Sequence, residues 1–181
     1  SLFEKAEGKV EKIFSLNLFA TFNFNRVFIP LVIKGRGLIA IISSEYGKIV
    51  AIPLHGYYPM TKHAVEIYGD SLRRELKKSG VRVTTIRPGA FKTNMQGSIN
   101  GQFDSLLSET DIYKTPLGRM KHIMVGELKR AKDPMILGKK LASIADKKHP
   151  RAHYNIKNSF KMKLLSILPS PLTDWIFSLF F

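Results

Sequence analysis

The sequence contains no cysteine. That excludes a disulfide scaffold and a thiolate metal site, and it is compatible with a reducing compartment. Acidic side chains are also scarce, with 14 Asp and Glu against 29 Lys and Arg, a net charge of +15. The imbalance concentrates between Lys114 and Lys163, where fourteen basic residues face only Glu127, Asp133 and Asp146, leaving +11. Zinc-finger spacing, an RNP-like aromatic motif and a helix-turn-helix pattern are all missing, so nucleic acid is not the expected partner. The charge reads instead as a solvated face or as attraction to anionic lipid, cofactor or substrate. No uninterrupted apolar run approaches the roughly 18–20 residues that span a bilayer, and no signal-peptide pattern opens the chain. Glycine-rich strand-to-helix turns are absent too: Gly35-Arg-Gly37 precedes a strand, whereas a dinucleotide-binding turn follows one. The chain starts mid-pattern on Ser1, so upstream sequence is expected.

What is present fits one domain of 181 residues with ordinary apolar content and about a quarter of its residues charged. Residues 3–33 read as one long helix, secure from about Lys9 because Gly8 weakens its start, and kinked or ended by Pro30 near Phe28 to Val32. Asn17 stands inside its apolar stripe, and Phe22, Phe24 and Phe28 read as core. Leu38–Ser43 has the unbroken apolar character of a strand buried on both faces. Tyr58 to Ser79 is a helix stopped by Gly80, and Val81–Ile86 is a second, β-branched strand. Strand, helix, strand is the βαβ unit, which brings Ser44 and the Pro88-Gly89 turn to the same sheet edge. Gln96 to Gly118 is polar and mixed, the composition of a mobile lid. Helices are expected over His122–Lys132 and Pro134–Lys147, a strand over Ala152–Ile156, and an apolar, proline-broken surface in the tail that runs to Phe180 and Phe181.

The chemistry gathers at Ser44, Tyr58 and Lys62. Tyr58 and Lys62 are four residues apart and share a helix face. An ammonium beside a phenol favours the phenolate and lowers the tyrosine pKa, as a proton-transfer residue at neutral pH requires. Ser44 is placed to hydrogen-bond the same oxygen. His55, His63 and His122 have no partners at metal-ligand spacing and read as structural.

Ile41-Ile-Ser-Ser44, Tyr58-Pro-Met-Thr-Lys62 and Arg87-Pro-Gly-Ala-Phe-Lys-Thr93 resemble, in order, three signatures of the short-chain dehydrogenase/reductases. The match runs from about Val10 to Thr93 and more weakly to Tyr154. Asn17, 27 residues before Ser44, is similar to the asparagine of that family's catalytic set. The resemblance implies that Tyr58 is the acid/base and that Lys62 lowers its pKa and binds the nicotinamide ribose. It further implies that Ser44 orients the substrate and Asn17 holds a relay water, while Pro88, Gly89 and Thr93 contact the nicotinamide. The loop from Ser44 is one residue longer than usual in the family. Tyr57 sits at the usual spacing, but only Tyr58 has a lysine one turn on.

The expected fold is therefore α/β, the carboxyl-terminal part of a Rossmann-like doubly wound parallel sheet whose first βαβαβ half is missing. Residues 1–158 would form the partial domain, with a substrate loop over 96–130, and 159–181 the tail. The expected activity is NAD- or NADP-dependent interconversion of an apolar alcohol and its carbonyl, the tail being similar to that of members acting on retinoids and steroids. A cytoplasmic location is expected, with peripheral membrane contact and self-association through the Tyr58–Ser79 helix. The competing readings are an inactive truncated remnant and a basic membrane-surface module.

Overall fold

A computed structural model describes residue 4 and residues 8–49, 51–93 and 95–179. Asn94 at the end of the loop after Gly89, and Phe180 and Phe181 in the tail, lie outside the described residues.

The first helical rod runs from Lys9 to Lys34. It consists of α1 (Lys9–Phe14), a π-helical turn (Ser15–Phe19) and α2 (Ala20–Lys34). Gly8 adopts φ 65° immediately before it, which fixes the start where the sequence places it. Pro30 lies inside α2 and does not end it. The proline removes one intrahelical bond, the one its N–H would give to the Arg26 carbonyl, and the helix continues to Lys34 on the remaining bonds. The rod is also long and apolar enough to cross a membrane by length and composition. No uninterrupted apolar run reaches that length, because Asn17, Asn23, Asn25 and Arg26 interrupt it in sequence. Phe22, Phe24 and Phe28 are exposed rather than core; Phe22 meets Tyr68 of the helix below edge-on, and Phe24 packs on Phe28.

β1 (Leu38–Ile42), β2 (Arg82–Pro88) and β3 (His153–Ile156) form one parallel sheet in the order β1-β2-β3. Leu38 pairs with Arg82, and Thr85 with His153. Between β1 and β2 runs α3 (Tyr57–Glu75), continued by a 3₁₀ turn (Leu76–Ser79). Its buried Val65 and Leu72 pack with Ile39, Ile41 and Val83 on one face of the sheet, where Ile29 and Val32 of α2 join them. The packing is close at Gly69, where a Cβ would come within 2.6 Å of Thr85 Oγ1. α4 (Met95–Glu109), α5 (Lys114–Lys129) and α6 (Pro134–Ala145) follow β2. Ile144 of α6 closes on Ile86 and Ile156 on the opposite face. Helices on both faces of a parallel sheet make a doubly wound α/β arrangement.

β1 is buried on one face only. Ile39 and Ile41 are enclosed, while Ala40 and Ile42 are exposed, because β1 is the edge strand and α6 covers the far face nearer β2 and β3. The stretch read as a mobile lid is helical, formed by α4 and the start of α5, which are joined through Phe103, Leu117 and Met120 to Ile52 and Leu54 of the loop after β1. Asp133 caps α6 through Met135 N–H at 2.8 Å, as Asp-Pro predicts. The tail forms α7 (Phe160–Leu165) and α8 (Ser170–Ser178), with Leu164, Ile167 and Trp175 exposed.

Candidate active site

Ser43 and Ser44 leave β1 at its carboxyl end and are buried, at 2% and 6% exposure. Ser44 is extended and caps the following 3₁₀ turn, its Oγ accepting from Tyr46 N–H at 3.3 Å. Its side chain also hydrogen-bonds the Tyr58 hydroxyl. Tyr58 is in the first turn of α3, and Lys62 stands one turn later with its Nζ 5.7 Å from the Tyr58 ring centroid. Lys62 Nζ donates to the Ile42 carbonyl at 3.3 Å, which ties the ammonium to the end of β1. The three residues singled out from spacing thus converge, with Ser44 bonded to Tyr58.

The electrostatics run opposite to the expectation for Tyr58. Burial pushes its phenol pKa up, the Ser44 hydrogen bond opposes that shift, and the Glu45 carboxylate adds to it. Burial pulls the Lys62 ammonium down, partly opposed by Glu66. Lys62 lies over the ring and is bonded to a carbonyl, so desolvation of the phenol outweighs its field.

Asn17 occupies the π-helical turn, a feature frequent at functional sites because it re-aims side chains. Its Nδ2 donates to Thr61 Oγ1 at 3.0 Å, and Thr61 donates to the Tyr58 carbonyl at 2.8 Å. Thr61 is fully buried. Asn17 therefore braces the first turn of α3 through Thr61. Thr21 donates to the Asn17 carbonyl at 2.8 Å within the same turn.

Pro88 and Gly89 sit at the carboxyl end of β2, beside the turn after β3. A Cβ on Gly89 would collide with the Lys157 carbonyl, so only glycine fits. The Gly89 N–H is spent on the Ile156 carbonyl at 3.0 Å and is not available to a ligand. Thr93 lies four residues further on and is exposed.

Two groups escaped the sequence reading. Arg87 binds Glu66 through two bonds, Nε to Oε1 at 2.9 Å and Nη2 to Oε2 at 2.7 Å, and both residues are buried. This pair links α3 to β2 just behind Lys62. Its signal was a glutamate one turn after Lys62 on the buried face of α3. Tyr46 meets Tyr58 edge-on at 5.8 Å between centroids, stacks on His55 at 5.0 Å, and donates to Met124 Sδ at 3.8 Å. Burial raises the Tyr46 phenol and lowers the His55 imidazole, so this wall of the site is uncharged at neutral pH.

Residues 2–103 match the model of the family described as short chain dehydrogenase. The chain belongs to that family. Among curated proteins it is 30% identical over 178 residues to the mouse short-chain dehydrogenase/reductase family 9C member 7, an alignment covering 92% of this chain and 56% of that protein. It is 41% identical over 83 residues to rat retinol dehydrogenase 7, covering 46% of this chain and 26% of the relative. Among solved structures, a short-chain dehydrogenase from Streptomyces avermitilis superposes with a TM-score of 0.69 at 18% identity, over 97% of this chain and 60% of the other. The chain thus spans little more than half the length of the full-coverage relatives.

Proposed function

We propose that this chain carries the proton-transfer half of a nicotinamide-dependent dehydrogenase acting on an apolar alcohol or its carbonyl. The observation that carries the reading is the Ser44–Tyr58 hydrogen bond with Lys62 one turn beyond, at the carboxyl end of a parallel strand. NAD or NADP, when bound, supplies or accepts the hydride. The donor set fits the nicotinamide end of that cofactor. Lys62 offers three N–H bonds of which Ile42 takes one, and Lys62 and Tyr58 together suit a ribose diol. Pro88, Gly89 and Thr93 would flank the nicotinamide, with contacts other than the Gly89 N–H. Among the described residues no strand-to-helix turn is Gly-rich, so this reading assigns the chain no adenosine or pyrophosphate site.

Tyr58 gives its phenolic proton to the developing alkoxide in reduction and takes it back in oxidation. Ser44 hydrogen-bonds the same substrate oxygen. Lys62 lends positive charge to the phenol as the proton moves, and Asn17, through Thr61, holds the turn of α3 on which both residues stand. The neutral wall of Tyr46, His55 and Met124 favours an apolar substrate, and the name of the rat relative, retinol dehydrogenase 7, is that of an enzyme for an apolar alcohol. Self-association through α3 and peripheral membrane contact through the exposed tail complete the proposal. In the whole protein, apolar primary and secondary alcohols should reduce the nicotinamide cofactor, followed by its absorbance. Turnover of small polar sugars in their place would refute the substrate class.

A further inference from the structure

One residue beyond Ser44 and one beyond Gly89, the turns that follow all three strands line a cleft of about 390 Å³ that is open to solvent on one side. Glu45 and Ala90 contribute from the ends of β1 and β2, and Lys157 to Lys161 from the end of β3. The walls are pinned by backbone. Ser159 N–H donates to Glu45 Oε2 at 2.8 Å, Lys132 N–H to the Ala90 carbonyl at 2.9 Å, and Lys92 N–H to the Lys132 carbonyl at 2.8 Å. Lys157 holds the left-handed conformation, φ 57°, where the turn crosses Gly89. This cleft lies at the carboxyl ends of parallel strands, the region where open α/β sheets bind ligands.

Its charge is unbalanced. Four cations line it: Arg130, Lys132, Lys157 and Lys161. Two carboxylates also line it, and both are engaged. Glu127 faces Arg130 at 3.9 Å, and Glu45 holds the Ser159 N–H while burial raises its carboxyl pKa. Lys132, Lys157 and Lys161 make no ion pair among the described residues. With Glu45 and Glu127 counted against the four cations, the lining keeps a net positive charge of two, which favours an anion. Asn158 lines the same cleft, and its Oδ1 is buried with no hydrogen-bond partner.

We infer that this cleft binds a carboxylate or phosphate at the end of the substrate remote from the reacting carbon. The substrate is then an amphiphile, with its apolar body against Tyr46 and Phe160 and its anionic end among the three lysines. The inference rests on the dehydrogenase reading above, and its test keeps the two apart. The whole protein is assayed with an ω-hydroxy fatty acid and with its methyl ester, alongside the variant Lys132→Gln/Lys157→Gln/Lys161→Gln. All three lysines are exposed, and Lys161→Gln alone repeats the test if the triple variant unfolds early.

The expected result is a KM for the acid about tenfold below that of the ester, the size of one charge-assisted hydrogen bond. The variant should raise the KM of the acid about tenfold while leaving its kcat and both constants of the ester unchanged. Equal KM values in the unmodified protein, or discrimination that survives the variant, would overturn the inference. Calorimetric binding of acid and ester reads the same split without turnover. Selective, lysine-dependent binding of an acid that is never oxidised would sustain the inference and refute the dehydrogenase reading. Vesicles of phosphatidylserine in phosphatidylcholine distinguish the other source of an anion. Lysine-dependent vesicle binding without acid–ester discrimination would overturn the inference in favour of a lipid headgroup.

Discussion

Tyr58 shows how far spacing alone carries. The interval to Lys62 is readable in the sequence and places both on one face of α3, and the serine that meets them is recognisable from its position after an apolar run. The sign of the pKa shift is not readable in this way. It depends on how much water the folded chain removes from the phenol, and here burial pushes the pKa up. The consequence is directional. At neutral pH the phenol is protonated, the form that donates in carbonyl reduction. The acceptor form needed for alcohol oxidation grows about tenfold per pH unit until the raised pKa is reached. In the whole protein, kcat/KM for oxidation should therefore climb steadily through the alkaline range, while that for reduction stays level from neutral pH and falls only as the phenol ionises. A pH–rate profile in both directions checks this. An oxidation rate that levels off near neutrality would show a phenol shifted the other way. The Glu66–Arg87 pair was missed for a related reason. A buried ion pair joins residues 21 apart in sequence, and no local pattern pairs them.

At the scale of elements, helices and strands with strong periodicity were legible, and so was the βαβ unit that joins the first two strands. The π-helical turn at Ser15–Phe19 was not, because no residue type demands it. The bond it makes is tertiary: Asn17 reaches Thr61 of α3, 44 residues away, and a local pattern carries no sign of it. The lid helices were hidden by polar composition, since their apolar residues are spent on a small local cluster with Ile52 and Leu54 rather than on a continuous stripe. Two glycines separate element packing from element propensity. Gly89→Ala forces a methyl group against the Lys157 carbonyl and should destabilise the whole protein by about 2 kcal/mol or more, as overpacking does. Gly138, inside α6, meets nothing within 4 Å. Gly138→Ala should stabilise by about 0.5–1 kcal/mol through helix propensity. Denaturant titration of both variants decides, and a neutral Gly89→Ala would mean that the turns after β2 and β3 do not touch as described.

For the whole molecule, the edge position of β1 and the exposed Ala40 and Ile42 explain why a strand that reads as fully buried is half-buried. A single sequence shows that a segment is apolar but not how much of the sheet surrounds it. The same applies to the rod from Lys9 to Lys34, where Phe24, Val27, Phe28 and Leu31 point outward together with Met60 and Ile67 of α3. Burying such a surface favours self-association. Ile67 is 70% exposed, and Ile67→Lys should halve the molecular mass of the whole protein measured by light scattering if α3 forms the contact. An unchanged mass would place the contact elsewhere.

The proposed proton transfer depends on one oxygen atom. Tyr58→Phe in the whole protein removes the phenolic hydroxyl while leaving the ring that Tyr46 and Lys62 pack against. Turnover of an apolar alcohol and equilibrium binding of the nicotinamide cofactor are then measured on the same preparation. The predicted result is loss of turnover by about 10²–10⁴-fold, the range of a general acid–base, with cofactor binding nearly unchanged. Turnover equal to that of the unmodified protein would contradict the assignment of proton transfer to Tyr58.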